Sequence, residues 1–207
     1  MHTHSKESQD SLTPDTALEI LKEGNERFVN NLKANRNLLQ QVNDTSNGQF
    51  PFATILSCID SRISAELIFD QGLGDIFSIR IAGNVSNSDI LGSMEFATKL
   101  AGSKVIVVLG HTRCGAITGA CNQVKLGNLT SLLDKIQPAI DQESTIPENR
   151  TGENPDFVKR VTEMNVLLTI DEIRKESPII AEMENNGEIK IIGGLYDVEN
   201  GNVTFYQ

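Results

Sequence analysis

The chain has 207 residues, of which 39% are hydrophobic and 22% charged, a composition typical of one globular domain with its own core. Its net charge of −10 argues against a nucleic-acid partner, and no apolar run is long enough for a membrane-spanning helix. The start is polar, and the three cysteines are too few for a disulfide framework, so we expect a reduced, cytoplasmic protein.

The N-terminal part of the chain predicts a disordered tail followed by a helix. Residues 1–12 are polar and we expect them to be disordered, whereas residues 13–207 are expected to form a single domain. Thr13 is suited to cap a helix in which Pro14 takes the first position. The apolar face of this helix comprises Leu18, Leu21, Phe28 and Leu32. We expect the helix to pack outside the core, on the sheet or on a partner subunit.

From residue 50 onward, short apolar runs alternate with helical patterns. The runs at 50–56, 75–82, 104–110 and 188–198 are rich in isoleucine and valine and continuous, as in buried parallel strands. Helical patterns lie between them, at 65–69, 88–101, 115–124, 129–140 and 157–175. This order predicts an α/β fold with a mainly parallel central sheet flanked by helices. The end of the chain predicts an antiparallel edge strand after an Asn200-Gly201 turn.

Two of the predicted strands end in residues that can bind a metal ion. Cys58 directly follows one strand, and His111 and Cys114 follow another in the pattern H-x-x-C. Because the carboxyl ends of parallel strands lie at one edge of the sheet, we expect these residues to meet there. Two cysteines and one histidine leave one position of a tetrahedral zinc ion open, as in catalytic sites. Activity that rises towards mildly alkaline pH is expected from such a ligand set.

Asp60 and Arg62 lie next to the first of these cysteines. A guanidinium can hold a carboxylate by two hydrogen bonds and keep it ionised. An anchored Asp60 could then orient a zinc-bound hydroxide; released from Arg62, it could itself occupy the fourth zinc position and close the site.

Simpler interpretations of the same residues remain open at this point. Cys58 could be a small core residue, and Asp60 with Arg62 could be a surface ion pair at a helix start. His111 could activate Cys114 as a nucleophile without any metal. Cys121, seven residues after Cys114, is interpreted as a core residue.

The segments SCIDSR, IFDQGLGDIFSIRIAGN and VVLGHTRCGA, in this order and spacing, resemble the β-class carbonic anhydrases. The resemblance extends from about residue 13 to the C-terminus and implies a zinc enzyme, a lyase that interconverts CO2 and bicarbonate. It implies one zinc per chain on Cys58, His111 and Cys114. It also implies that Asp60 and Arg62 form the catalytic dyad.

The resemblance also implies residues on the substrate side of the site. Gln49 matches a glutamine that binds bicarbonate, Phe77 an apolar residue of the CO2 pocket, and Gly115 a backbone donor near the substrate. In this family, dimers place the active sites at the subunit interface, so a homodimer or homotetramer is expected. Members with an inhibitory bicarbonate site carry tryptophan where this chain has Ile55, although Arg80 keeps the arginine of that pocket. We therefore expect the open form of the zinc site.

Three other functions are compatible with parts of the sequence. Hydrolysis of COS or CS2 on the same fold would depend on the shape of the pocket, while Gln49 favours CO2. A non-catalytic zinc or bicarbonate sensor would be indicated by loss of the dyad, but both dyad residues are present. A metal-free Cys–His hydrolase leaves Cys58, Asp60 and Arg62 without roles.

Overall fold

The computed structural model describes residues 3–206; Met1 and His2 of the expected disordered tail, and Gln207, lie outside these residues. Its centre is a five-stranded sheet in the order β2-β1-β3-β4-β5. The strands are β1 (Ala53–Ser57), β2 (Ile76–Arg80), β3 (Val105–His111), β4 (Lys190–Tyr196) and β5 (Val203–Tyr206). The first four are parallel, and β5 pairs with β4 antiparallel. The mainly parallel sheet and its antiparallel edge strand are thus confirmed.

Ten α-helices are formed by the described residues. They are α1 (Lys6–Asp10), α2 (Pro14–Val29), α3 (Leu38–Asp44), α4 (Ala65–Ile68), α5 (Ser88–Glu95), α6 (Gly115–Cys121), α7 (Gly127–Leu133), α8 (Gln137–Gln142), α9 (Pro155–Glu176) and α10 (Pro178–Asn185). A π-helical turn at Phe96–Leu100 extends α5, and a 3-10 turn at Ala82–Asn84 follows β2. Within residues 3–206, no helix combines the length and the hydropathy needed to cross a membrane.

The sheet is covered on both faces, which explains why its strands are apolar without alternation. Along β3, Val105, Val107 and Leu109 belong to the buried cluster that includes residues of α2 and α4. The intervening Ile106 and Val108 belong to a second cluster with residues of α9 and α10. Successive side chains of a strand point to opposite faces, so each face requires its own apolar set.

The predicted N-terminal helix is present as α2, which lies outside the sheet with its apolar face against it. The Thr13 side chain accepts a hydrogen bond from the Thr16 amide, as expected for a helix cap. Leu18 and Leu21 are buried in the cluster on the sheet face, whereas Leu32 lies beyond the helix and is exposed. A Cβ atom at Gly24 would come within 1.8 Å of the Phe69 carbonyl oxygen, so glycine permits this close packing.

The structure differs from the sequence-based expectations in several helices. Lys6–Asp10 form α1 within the expected disordered tail, because the Gln9 side chain is buried and donates to the carbonyls of Pro51 and Ala101. The helix expected at 129–140 is divided into α7 and α8. Pro138 lies in the first turn of α8, a position where a helix tolerates proline because no amide N–H is needed there. The same proline disfavours a helix that would continue through it from α7. Helices α3 and α10 were not predicted.

Candidate metal centre and active site

Three buried side chains meet at the carboxyl edge of the sheet. Cys58 directly follows β1, His111 is the last residue of β3, and Cys114 directly precedes α6. The two sulfur atoms are 3.9 Å apart, and the three potential ligand atoms lie within 4.8 Å of one another. The predicted meeting of Cys58, His111 and Cys114 is therefore what the structure shows.

The close packing of β3 on α9 helps to position this histidine. A Cβ atom at Gly110, directly before His111, would lie 2.7 Å from a Val166 methyl carbon and 3.1 Å from that of Thr162. Only glycine allows the strand to approach the helix so closely. The end of β3 is consequently held by two contacts: α9 packs on one face of the strand, and β4 pairs with it along one edge.

The donor atoms fit a zinc ion. The Nδ1 atom of His111 lies 2.9 Å from the Thr112 carbonyl, and since a carbonyl only accepts, Nδ1 carries the proton. The Nε2 atom is then a free acceptor, and it is buried with no hydrogen-bond partner. A buried, unpaired acceptor beside two cysteine sulfurs is costly unless a cation binds it. Two sulfurs and one nitrogen are the ligand set of an open catalytic zinc site.

The two cysteines of the group differ in their protonation. Hydrogen bonds from the Cys114 side chain and from the Gly83 amide lower the pKa of the Cys58 thiol, although burial opposes them. The pKa of Cys114 is raised, because its thiol shares a hydrogen bond with Cys58 and is buried. Cys58 is thus a ready thiolate ligand, and a bound cation would favour ionisation of Cys114 as well.

Asp60 and Arg62 form the expected ion pair at the edge of this group. Arg62 donates from Nε to one carboxylate oxygen at 2.9 Å and from Nη2 to the other at 2.8 Å. These bonds lower the pKa of Asp60, so the carboxylate stays ionised. Arg62 also donates to the Arg113 carbonyl at 3.3 Å, and so connects the segment that contains Cys58 with the one that contains Cys114.

Two further residues hold the Cys58 segment in place, and the sequence alone did not predict these roles. Arg80, at the end of β2, donates to the carbonyls of Cys58 at 3.1 Å and Asp60 at 2.7 Å. Gly83 donates its amide to the Cys58 sulfur at 3.4 Å and has a φ of 69°, a conformation that favours glycine. The A-G-N triplet after β2 was the available sequence signal, but its contact with sulfur depends on how the chain folds.

The residues predicted for the substrate side are not brought together within one chain. Gly115 lines a cavity of about 380 Å³ together with Cys58 and Asp60. Phe77 lines a different surface cavity, where its ring contacts Phe96 at a centroid distance of 6.2 Å. Gln49 is exposed and precedes β1, whereas Cys58 follows that strand, which is roughly 17 Å long. Gln49 and Phe77 therefore lie towards the other end of the sheet from the metal ligands.

Cys121 takes the core position predicted for it. It is buried in the cluster that includes Phe157 and Val161, and burial raises the pKa of its thiol to about 11. It belongs neither to the Cys58, His111 and Cys114 group nor to the residues that line the adjacent cavity.

Comparison with known proteins places these features in a family. The family model described as carbonic anhydrase matches residues 53–203. Carbonic anhydrase 2 of Mycobacterium tuberculosis is 36% identical over 199 residues, which cover 91% of this chain and 90% of that protein. The structure of the β-carbonic anhydrase CcaA gives a TM-score of 0.70 at 27% identity, covering 92% of this chain and 95% of the other. A tetrameric β-carbonic anhydrase from Sordaria macrospora gives 0.66 at 26% identity, covering 77% and 82%.

Proposed function

Because the chain belongs to the β-carbonic anhydrase family, we propose that it hydrates CO2 reversibly to bicarbonate and a proton in a zinc-dependent reaction. The observation that carries this proposal is the buried group of Cys58, His111 and Cys114, with an unpaired Nε2 atom, beside a cavity that Asp60 also lines. The geometry supplies three protein ligands, an ionised carboxylate and space for a small substrate. The relatives named above are carbonic anhydrases.

Zinc, one ion per chain, is the proposed cofactor. Cys58, Cys114 and the Nε2 atom of His111 would hold it, while the proton on Nδ1 stays bound to the Thr112 carbonyl. When bound, zinc acts as a Lewis acid that activates water for attack at near-neutral pH. The hydrogen bond to Thr112 fixes the orientation and tautomer of the imidazole, as outer hydrogen bonds of metal-binding histidines do.

The Asp60–Arg62 pair is proposed to orient the attacking nucleophile. An ionised carboxylate accepts hydrogen bonds and donates none, so Asp60 selects a nucleophile that presents its proton to the carboxylate. A lone pair of that nucleophile is then directed away from Asp60, towards CO2. Arg62 prevents rotation of the carboxylate through its two parallel hydrogen bonds. As long as Arg62 holds both oxygens, Asp60 is not released to the metal, which supports the open form of the site.

The substrate side is proposed to be completed by a second copy of the chain. Gln49 and Phe77 lie away from the metal ligands of their own chain, so they could serve as bicarbonate-binding and CO2-pocket residues only in a partner's site. The amide of Gly115, beside Cys114, is proposed as the donor from the same chain. A homodimer or homotetramer is accordingly proposed, and the similar protein from Sordaria macrospora is a tetramer. The cytoplasmic location stays a prediction from the sequence.

Hydrolysis of COS or CS2 is the second candidate, and an experiment with two substrates separates it from CO2 hydration. The metallated protein, the chelator-treated protein and the protein reloaded with zinc would each be assayed for CO2 hydration by stopped flow and for COS hydrolysis. We expect CO2 hydration that the chelator abolishes, that zinc restores and that increases towards alkaline pH. Preference for COS would establish the second candidate. Full zinc without either activity would indicate a sensor, and activity indifferent to chelation would indicate a metal-free hydrolase.

A further inference from the structure

The cavity next to the metal ligands extends away from them between α6 and α7. Beyond Cys58 and Asp60, it is bounded by apolar or small residues. Gly115 and Gly119 lie one turn apart on the same face of α6, and both line it. The opposite wall consists of Val124, Leu129 and Leu133.

Gly119 determines how much of this cavity is free. A Cβ atom built there would lie 3.5 Å from Leu133 Cδ1 and 4.0 Å from Val124 Cβ, which are ordinary van der Waals distances. It would therefore clash with nothing, but it would point into the space between α6 and the opposite wall. Because this one carbon already touches Leu133 and Val124, larger side chains at this position would block the cavity here and would press on these two side chains.

We propose that Gly119, with Val124, Leu129 and Leu133 opposite it, forms the apolar passage through which CO2 reaches the metal centre, and that the absence of a side chain at 119 determines its width. This inference rests on the proposed function. CO2 is apolar and linear, so a hydrophobic passage takes it up with little desolvation cost, whereas ions and strongly hydrated molecules must lose water to enter. The width of the passage then discriminates between CO2 and analogues that are longer or have a larger cross-section.

The test uses variants that narrow the passage and a control that does not. Gly119→Ala and Gly119→Val add one and three carbon atoms inside the cavity. Leu126→Ala is the control, because Leu126 is exposed directly before α7 and does not line the cavity. For each variant, kcat/KM for CO2, zinc content and melting temperature would be measured. Crystals of the wild type and of Gly119→Val would also be exposed to xenon, which binds in apolar cavities irrespective of catalysis.

We expect Gly119→Val to lower kcat/KM for CO2 by about ten-fold or more at unchanged zinc content, with a smaller decrease in Gly119→Ala. Alanine favours helix more than glycine does, so Gly119→Ala should melt about 2–4 °C higher than the wild type and still be slower. Leu126→Ala should have the kinetics of the wild type. Xenon should occupy the cavity in the wild type and be absent from Gly119→Val.

Either of two results would overturn the inference. Unchanged kcat/KM in both Gly119 variants would show that CO2 does not pass this way, and an empty cavity in xenon-treated wild-type crystals would show that it takes up no apolar guest. If Gly119→Val loses zinc or does not fold, the more conservative Gly119→Ala decides the kinetic test. A wild type that does not hydrate CO2 would refute the proposed function instead, and xenon would still decide whether the cavity accepts apolar molecules.

Discussion

The metal side and the substrate side of the site differ in how much of each a single chain supplies. Cys58, His111 and Cys114 lie within 4.8 Å of one another at the ends of two neighbouring strands. Gln49, in contrast, is exposed before β1, and Phe77 pairs with Thr54 near the amino end of that strand. Parallel pairing necessarily places the ends of β1 and β3 together. Nothing in the same sheet brings the start of β1 to its end.

In the proposed site, the metal side depends on the folding of one chain and the substrate side on the assembly of two. A folded monomer contains every proposed zinc ligand and both residues of the Asp60–Arg62 pair. Residues from the amino end of the sheet reach a metal centre only if another copy of the chain presents them. Metal binding should thus survive changes that impair assembly, whereas turnover should not.

The largest effect is expected from removing a ligand on the metal side. Cys114→Ala should lose zinc and fall to the uncatalysed rate of CO2 hydration, since two ligands do not retain the ion in an open site. Cys121→Ala is the matched control, because both cysteines are buried in the same cluster and only Cys114 belongs to the proposed ligand set. Zinc content and stopped-flow rates decide the prediction. Equal zinc in the two variants would contradict it.

A smaller loss is expected from the Asp60–Arg62 pair. Asp60→Asn should lower kcat by roughly 10²–10⁴-fold with zinc retained, because asparagine lacks the charge that orients the nucleophile. Measured zinc content separates this effect from loss of the metal. A variant with wild-type kcat would assign Asp60 to structure alone.

The proposed contribution of a second chain can be tested by mixing two defective variants. Gln49→Ala retains the metal side, and His111→Ala retains Gln49. In a mixed dimer, the zinc site of the first chain would receive an intact Gln49 from the second. We expect co-expressed, mixed dimers to have several-fold higher activity per zinc than Gln49→Ala alone. No gain over Gln49→Ala would show that Gln49 does not act in a partner's site.

The smallest effect on activity is expected at Asp70, which anchors the segment between α2 and α3, upstream of Gln49. Asp70 is buried and accepts hydrogen bonds from Arg27, Arg36 and the Ala34 amide. Burial alone would raise the pKa of Asp70, but these donors outweigh it, and the pKa is lowered. Asp70→Asn should lower the free energy of unfolding by about 3 kcal/mol at neutral pH.

The same variant should show a defined pH dependence. Because the pKa of Asp70 is lower in the folded than in the unfolded chain, the ionised carboxylate stabilises the fold at pH values above the unfolded-state pKa of about 4. This stabilisation is lost as the pH falls below about 4 and Asp70 becomes protonated. Denaturation at several pH values should show that the difference between wild type and Asp70→Asn closes in acid. Asp134→Asn, which removes an exposed ion pair with Lys125, is the control and should change stability by less than about 1 kcal/mol. If wild type and Asp70→Asn differed by the same free energy of unfolding at all pH values, ionisation of Asp70 would not be the source of the stabilisation.

The sequence predicted the features that local patterns determine. The four parallel strands followed from their isoleucine and valine runs, and the convergence of Cys58 and His111 from their positions at strand ends. The break between α7 and α8 was not predicted, because the apolar residues on both sides of Pro138 keep helical spacing although the proline starts a new helix there. Helix α3 was not predicted because it has only seven residues and no buried apolar face. Its apolar residues Leu38, Leu39 and Val42 are exposed.

Other features could not be predicted because they depend on contacts between distant segments. Arg80 holds two carbonyls of the Cys58 segment only because β2 ends beside β1. Gly119 could have been interpreted as an ordinary helical glycine until α7 was placed opposite it. The distance between Gln49 and Cys58, in contrast, already follows from the predicted strand at 50–56, because Gln49 precedes that strand and Cys58 follows it.

The most direct test of the metal side is zinc-edge X-ray absorption spectroscopy on the purified, active protein. We predict one zinc per chain with two sulfur ligands at about 2.3 Å and one imidazole nitrogen at about 2.0–2.1 Å, with the fourth position taken by a light atom. In Cys58→Ser, the zinc content should fall, and the zinc that is retained should show one sulfur ligand instead of two. A wild-type spectrum without sulfur ligands, or with four of them, would contradict the assignment of Cys58, His111 and Cys114 as the ligands of an open zinc site.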